Sequence, residues 1–324
     1  MKKIAVFTSG GDSPGMNANI RAVVRTCLNM GIEPYGINYG YEGMIDGDIV
    51  PMDSRSVSNI LQLGGTVLRT ARSQRFMTVE GRAQAYQQLQ KHGIEGIVAC
   101  GGNGTFTGAK VFMSEYPDIS MVGTPGTIDN DLYGTDNTIG FDTAVNTAMN
   151  MIDNIKDTAN AHNRLFFVEV MGRDAGFIAM RTGIATGAEA VLVPETPTNM
   201  ENLMRILDKR RKDKKSSSAI VVVAEGDEAG GAMQVAEMAK RELPGYDIRV
   251  SILGHIQRGG RPTCNDRVLA SRLGLEAVKA LLDGKKGVMI GQVHKDIVHV
   301  PFEKAIKHNQ RINPMMLEIV DMLS

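Results

Sequence analysis

The sequence predicts a doubly wound α/β protein built on parallel sheets, and two observations carry that prediction. First, short and nearly continuous apolar runs at 4–8, 97–99, 119–122, 165–170 and 219–224 alternate with longer segments of amphipathic helical period. A strand that is apolar at every position is buried on both faces, as in a parallel sheet covered by helices. Second, the strand ends at Thr8, Cys100, Gly123, Val170, Ala224 and Leu253 each lead into a polar loop containing glycine. In open α/β sheets, ligands sit beyond the carboxyl ends of the strands.

Taken in order, the run at 4–8 is a buried strand, followed by the turn Ser9-Gly10-Gly11-Asp12-Ser13-Pro14-Gly15 and a helix over 17–30. Strand, glycine-rich turn and helix form a unit whose backbone N–H groups can receive a phosphate; a tight connecting turn uses the same residues. No Gly-Lys-Ser/Thr follows, so this is not the P-loop pattern. A second strand covers 34–38 and ends in Tyr39-Gly40-Tyr41-Glu42-Gly43, where Tyr41 suits either stacking on a base or a half-buried structural place. Gly64-Gly65-Thr66 then opens a loop carrying Arg69, Arg72 and Arg75, a cluster fitted to phosphate contact. A helix over 80–92 precedes the strand at 97–99, and Gly101-Gly102-Asn103-Gly104-Thr105 turns into another helix. Thr107 stands where a dinucleotide fingerprint needs its third glycine. A helix is expected over 142–159, a strand over 165–170 and a turn at Met171-Gly172-Arg173-Asp174-Ala175-Gly176 leading into a helix. Strands follow at 190–193, 219–224 and 247–253, helices at 203–215 and 265–282, short strands at 288–290 and 297–300, and a last helix at 314–322.

The composition excludes several classes. A chain of 324 residues with 43% apolar and 22% charged residues can bury a large core and is long enough for two domains. Lys+Arg and Asp+Glu both number 36, so nothing in the overall charge favours nucleic acid or a membrane surface. Any anion site must come from local clustering. Cys27, Cys100 and Cys264 are far apart and lack metal spacing, which reads as reduced packing cysteines of a cytoplasmic protein. The apolar start is too short for a signal peptide, and no run approaches a membrane span.

The stretch that organises the chemistry is Gly123-Thr124-Pro125-Gly126-Thr127-Ile128-Asp129-Asn130-Asp131. An apolar strand enters it, Gly126 permits close approach of a ligand, and Asp129 and Asp131 share a direction if the loop stays extended. One carboxylate can take a proton from a hydroxyl while the other holds a metal. A polar turn would use the same residue types. The other loops decide between these readings: two glycine-rich turns for polyphosphate, Arg72 for the moving phosphoryl, and Arg164, Arg173, Arg249, His255 and Arg258 for a second anionic group.

With these residues assembled, the chain resembles the bacterial 6-phosphofructokinases. Thr8-Ser9-Gly10-Gly11-Asp12, Pro125-Gly126-Thr127-Ile128-Asp129-Asn130-Asp131, Met171-Gly172-Arg173 and Gly254-His255-Ile256-Gln257-Arg258-Gly259-Gly260 match that family's signatures in type and spacing. The match runs from Lys3 to about Lys285 and is weak over the last forty residues. The resemblance implies two similar doubly wound domains: 1–140 with 257–308 binding ATP, and 141–256 with 309–324 binding fructose 6-phosphate. It implies Asp129 as the base, with Gly11 and Arg72 on the γ-phosphoryl and Arg173 on developing charge. Tyr41 would lie against adenine, with Ser73, Gly102, Asn103, Gly104 and Thr105 also on the nucleotide. Thr127, Ile128, Met171, Gly172 and Glu225 would hold the sugar. His255, Ile256, Gln257 and Arg258 would meet its phosphate end, joined by Arg164 and Arg249 from a neighbouring subunit of a homotetramer. Gly104 and Gly126 replace the Asp and Lys of pyrophosphate-using relatives, which implies ATP as donor.

Two positions depart from the pattern. The family's Gly-Gly-Asp-Gly motif supplies a Mg²⁺ ligand where this chain has Asn103, leaving Asp131 as the carboxylate; an amide oxygen binds Mg²⁺ more weakly. At the family's effector site Arg21, Arg25, Arg55, Gly187 and Glu189 match, but Lys156 replaces an Arg and Ser216, Ser217 and Ser218 fall on a basic stretch. The alternative to an ATP-dependent sugar-phosphate kinase is therefore a low-activity paralogue that binds nucleotide and sugar phosphate as a regulatory subunit.

Overall fold

The structure is a computed structural model and describes residues 1–162, 164–212, 218–306 and 312–323. Its elements run β1 (Lys3–Thr8), α1 (Met16–Asn29), β2 (Glu33–Ile37), α2 (Gly40–Asp46), β3 (Ile49–Pro51), α3 (Val79–His92), β4 (Gly96–Gly101), α4 (Asn103–Glu115), β5 (Ser120–Pro125) and α5 (Phe141–His162). They continue β6 (Arg164–Val170), α6 (Phe177–Thr186), β7 (Ala190–Leu192), α7 (Met200–Lys212), β8 (Ala219–Ala224), α8 (Gly231–Glu242), β9 (Asp247–Ile252), α9 (Cys264–Leu282), β10 (Val288–Val293), β11 (Asp296–Pro301), α10 (Phe302–Ala305) and α11 (Pro314–Leu323). The chain divides into two compact units, Met1–Thr143 with Arg258–Gln310, and Ala144–Gln257 with Arg311–Ser324.

The first unit holds a seven-stranded sheet in the order β11-β10-β5-β4-β1-β2-β3. Its central strands are parallel, while β3 and β11 return antiparallel at the two edges. Alternate residues of one strand feed two separate cores. Ile4, Val6, Val98, Cys100 and Val122 pack with α1 and α9 on one face. Ala5, Phe7, Ile97, Ala99 and Met121 pack on the other with residues of α2, α3 and α4. This two-sided burial is why the strands read as unbroken apolar runs. The strand order reverses between β1 and β4, so the loops after those strands part to opposite sides and leave a crevice at their carboxyl ends.

The second unit holds a parallel four-stranded sheet, β7-β8-β6-β9. Leu165, Phe167, Val221 and Val223 pack under Leu203 and Leu207 of α7 and Val235 and Ala239 of α8. Among the described residues no helix is long and apolar enough to cross a membrane.

Three local expectations change. The segment expected to be a loop after β2 is helix α2, because Gly40 and the left-handed Tyr39 (φ 55°) start a helical turn directly at the strand end. Helix α8 is not anticipated, since its buried stripe is Ala232, Val235, Ala236 and Ala239, mostly too small to stand out as an apolar period. Cys264 is exposed rather than packed, whereas Cys27 and Cys100 are buried.

One buried carboxylate joins distant elements of the first unit. Asp266, in the first turn of α9 and 1% exposed, accepts from the N–H groups of Gly140 (2.9 Å) and Thr143 (2.8 Å) and from the Thr143 hydroxyl (2.5 Å). It thus caps the start of α5 from a different helix. Burial pushes its carboxyl from 3.8 up to about 6, against the pull of those hydrogen bonds. A carboxyl raised on folding contributes stability below its unfolded pKa, and that contribution is lost as pH rises through the folded value; here it amounts to roughly 3 kcal/mol. Asp266→Asn removes the titration and turns an amide N–H₂ toward backbone donors, at a further cost of ~1–3 kcal/mol at neutral pH. Urea unfolding of both proteins should show a stability gap that narrows as pH rises from about 4 to about 7. A gap independent of pH would remove Asp266 from this role.

Candidate active site

The crevice of the first unit is built by hydrogen bonds between strand ends. Ser9 N–H donates to Cys100 O (3.0 Å) and Gly126 N–H to Gly101 O (3.0 Å), so the turns after β1, β4 and β5 leave the sheet side by side. The loop with the three arginines is tied to the first turn, because Thr70 Oγ1 donates to Gly10 O (2.8 Å) and Thr8 Oγ1 to Arg69 O (2.8 Å). Its cations then have different fates. Arg69 lies over the Tyr39 ring (5.2 Å) and bonds its hydroxyl. Arg75 pairs with Glu42 (2.7 Å) and Asp46 (2.8 Å). Arg72 alone of the three makes no side-chain hydrogen bond or ion pair among the described residues, which leaves its full donor fork for an incoming anion. The Ser73 hydroxyl accepts from Phe76 N–H (3.1 Å), a turn contact.

Arg258 lies against the first turn: a Cβ on Gly11 would lie 2.5 Å from its Nη1, which also donates to Asp12 O (3.3 Å). The expectation for Arg258 was the phosphate end of a sugar; its guanidinium lies against the turn expected to hold a donor phosphoryl.

The carboxylate loop is turned rather than extended. Asn130 has φ 53°, in the left-handed region that Asn tolerates, so the expectation that Asp129 and Asp131 sit on one extended edge is corrected. Three hydrogen bonds hold the turn: Thr138 N–H to Asn130 Oδ1 (2.8 Å), Asn130 Nδ2 to Asp136 O (3.2 Å), and Thr138 Oγ1 to Thr127 O (2.6 Å). Thr127 Oγ1 accepts from Asp129 N–H (3.2 Å). Asp129 is 4% exposed, and Ile128 is fully buried, which keeps its side chain away from any ligand. Asn103, the first residue of α4, donates from Nδ2 to Asp131 Oδ2 (2.7 Å), while its Oδ1 is buried and has no hydrogen-bond partner. Beside it, a Cβ on Gly104 would meet nothing within 4 Å. Gly102 is the N-cap of α4, and Thr105 Oγ1 reaches Ser9 O at 3.4 Å.

Tyr41 is not placed to lie flat against adenine. It is 6% exposed, stacks on Phe76 at 3.9 Å, and donates its hydroxyl to Thr105 O (2.6 Å); burial pushes that hydroxyl's pKa up. The ring supports α4 from below, since a Cβ on Gly108 would sit 3.1 Å from it.

In the second unit the turn after β6 is held by polar side chains. Glu225 Oε1 accepts from Arg173 N–H (2.7 Å) and Gly172 N–H (3.3 Å), and Gln257 Oε1 accepts from Met171 N–H (3.2 Å). Arg173 is held in the left-handed region at φ 55°, and a Cβ on Gly226 would lie 2.0 Å from Arg173 O. Glu225 is therefore partly a scaffold group, and Gln257, fully buried, is wholly one. His255 and Ile256 are exposed. Arg164 and Arg249 converge on Asp247, at 2.7 Å and 3.0 Å, across the β6–β9 pairing that sets Arg164 opposite Asp247. Hydrogen bonding from Arg164, foremost, holds the Asp247 carboxyl below the usual range.

The effector candidates fall on both units. Arg25 donates to Ser54 O (3.1 Å) in the first. Arg21 and Arg55 make no side-chain hydrogen bond or ion pair among the described residues. In the second unit Lys156 donates to Thr186 O (2.6 Å) and lies 3.7 Å from where a Cβ on Gly187 would be. Glu189, 5% exposed, is paired with Arg210 (3.0 Å); burial pushes its carboxyl up while Arg210 and Lys156 pull it back. Arg210 and Asp247 were not anticipated. Each belongs to an ordinary charged stretch, and only the folded chain gives it a partner. Ser218 is bonded to Asn160, and Ser216 and Ser217 lie outside the described residues.

Fold and site together define a doubly wound α/β protein that gathers glycine-rich phosphate turns, an unpaired arginine and buried carboxylates at strand ends. The sequence profile of the phosphofructokinase family matches residues 3–281. The chain belongs to that family. It is 52% identical over 324 residues to an ATP-dependent 6-phosphofructokinase 2 of Bacteroides thetaiotaomicron, covering 100% of this chain and 99% of that one. It is 55% identical to an ATP-dependent 6-phosphofructokinase 1 of Thermus thermophilus, covering all of both chains. Among solved structures, phosphofructokinase from Saccharomyces cerevisiae superposes with a TM-score of 0.90 at 38% identity, over 99% of this chain and 47% of that one, so the chain spans about half the yeast chain. A pyrophosphate-dependent phosphofructokinase from Marinobacter aquaeolei, at 23% identity and a TM-score of 0.84, shares the fold.

The Asn130 turn can be tested directly. Asn130→Ala leaves the buried Thr138 N–H without its acceptor and puts Ala in a left-handed conformation, at a combined cost of about 2–4 kcal/mol. Asn130→Gly restores the backbone freedom but not the hydrogen bond, and should recover only part of that loss. Equal stability of both variants and wild type in urea unfolding would show that the turn does not depend on this side chain.

Proposed function

We propose that the protein is an ATP-dependent 6-phosphofructokinase, transferring the γ-phosphoryl of ATP to the 1-hydroxyl of fructose 6-phosphate to give fructose 1,6-bisphosphate and ADP. The observation that carries this reading is the crevice between β1 and β4: two glycine-rich turns, the unpaired Arg72 and the buried Asp129 on strand ends tied to one another. The names of the full-length relatives support it. Asp129 takes the proton of the 1-hydroxyl as the sugar oxygen attacks the γ-phosphorus, and the bond to the ADP oxygen breaks. Gly11 N–H and Arg72 donate to the phosphoryl oxygens, and Arg173 answers the charge that develops there. Thr127, Met171 and Glu225 orient the sugar. His255, Arg258 and, from a neighbouring subunit of a homotetramer, Arg164 and Arg249 bind its phosphate. The open space at Gly104 favours a nucleotide over pyrophosphate as donor. The setting is the cytoplasm.

The donor set at Asn103 and Asp131 fits Mg²⁺: hard oxygen ligands, with Asn103 Oδ1 buried and free of hydrogen bonds. Mg²⁺, when bound with the nucleotide, neutralises charge on the donor phosphates. Among the described residues no group of three acidic, His or Cys side chains could hold a metal by itself, so nucleotide phosphate oxygens would have to supply further ligands.

Initial rates with fructose 6-phosphate, comparing ATP with pyrophosphate over a range of Mg²⁺, test the reading. ATP should support turnover and pyrophosphate should not. Asp129→Asn should lower kcat by about 10²-fold or more with sugar-phosphate binding kept. A variant within a few-fold of wild type would remove Asp129 as the base.

The effector response should be weak. A phosphate-rich effector needs several charge-assisted donors, yet Arg25 is engaged with Ser54 O, Lys156 with Thr186 O, and Glu189 already has a cation in Arg210. Rates at subsaturating fructose 6-phosphate should change little with ADP or phosphoenolpyruvate. A strongly sigmoidal response to phosphoenolpyruvate would overturn this.

A further inference from the structure

The Asn103–Asp131 contact has a consequence for how the nucleotide enters. Asp131, as a carboxylate, can only accept, so the amide turns its N–H₂ toward it at 2.7 Å and its Oδ1 away. With a carboxylate at 103 the same spacing would set two anionic oxygens in contact. Such a pair stays charged only when a cation or a shared proton lies between them. The amide performs that service itself: it positions Asp131 by a hydrogen bond and leaves one negative charge where there would be two.

We infer that the site of this chain binds its nucleotide polyphosphate whether or not a divalent cation accompanies it, because Asn103 replaces the cation in ordering Asp131 and removes one anion facing the phosphates. Two further features agree. Asn103 opens α4, where the first N–H groups of a 13-residue helix favour negative charge without a metal. Its Oδ1, buried and without a hydrogen-bond partner, can take a cation arriving with the nucleotide while the bond to Asp131 remains. Binding and turnover then separate. The cation is dispensable for nucleotide affinity and still serves phosphoryl transfer. The inference rests on the reading of this crevice as the donor nucleotide's site.

The test measures binding, not rate. Calorimetric titration of the full chain with ADP and with a non-hydrolysable ATP analogue would be run in EDTA and in excess Mg²⁺, for wild type, Asn103→Asp and Asn103→Ala. Wild type should differ by no more than about 3-fold between the two conditions, and Asn103→Asp should bind about 10-fold or more weakly in EDTA than in Mg²⁺. Asn103→Ala, which lacks the charge but also the hydrogen bond, leaves only the cation to order Asp131 and should bind more weakly in EDTA than in Mg²⁺, by less than Asn103→Asp. Thermal melts in nucleotide-free buffer identify any variant that fails to fold, and the wild-type ratio alone still decides. A wild type that binds nucleotide only with Mg²⁺ would overturn the inference and leave the kinase reading standing. Asn103→Asp binding nucleotide as independently of Mg²⁺ as wild type would also overturn it. Absence of nucleotide binding by wild type in either condition would overturn both.

Discussion

The crevice depends on the lack of a side chain at position 126. A Cβ there would lie 2.7 Å from Cys100 Sγ, 3.1 Å from Met16 Cε and 3.2 Å from Gly101 N. Without one, Gly126 N–H reaches Gly101 O at 3.0 Å, and the ends of β4 and β5 close on each other. That contact starts the Thr127–Asp131 turn beside the N-terminus of α4, which is what allows Asn103 and Asp131 to meet. The first turn is held to the same edge through Ser9 and Cys100. The first glycine turn, Asn103, Asp129 and Asp131 are thus registered to one sheet edge by backbone hydrogen bonds, whose geometry leaves little slack.

Charge is distributed with the same economy. The protein is neutral overall, and many of its arginines are tied to carboxylates: Arg75 to Glu42 and Asp46, Arg82 to Glu115, Arg210 to Glu189, and Arg164 and Arg249 to Asp247. Most of these are exposed enough to add little stability. Their effect is to hold cations in place, so that Arg72, without a side-chain hydrogen bond or ion pair among the described residues, stands out. Asp247 engages Arg164 through Nε.

Several polar residues at the site act as scaffold. Glu225 and Gln257 hold the turn that keeps Arg173 in a left-handed conformation, and Asp266 holds the start of α5 next to the segment that stitches the carboxylate loop. Burying Gln257 and Asp266 is tolerable because each accepts from backbone N–H; Glu225 does the same from an exposed position. They place the turns whose geometry catalysis requires.

By itself the sequence determined the α/β class, the buried strands, the glycine turns at strand ends and the family signatures, including the Asn103 departure. All of these are local: period, run length and motif spacing are carried by neighbouring residues. The tertiary structure alone decided which polar groups face one another. Asn130 as the pivot of the carboxylate loop, Tyr41 inside the core against Phe76, Glu225 on the Arg173 turn, Asp247 between two arginines, and Arg210 on Glu189 are pairings of residues brought together by packing. The antiparallel edges β3 and β11 were likewise settled by pairing. A strand's own pattern states which faces are buried, and hydrogen bonds to its neighbours state its direction. No spacing rule encodes contacts of that kind, because they form only once the sheet has set the distances between its loops.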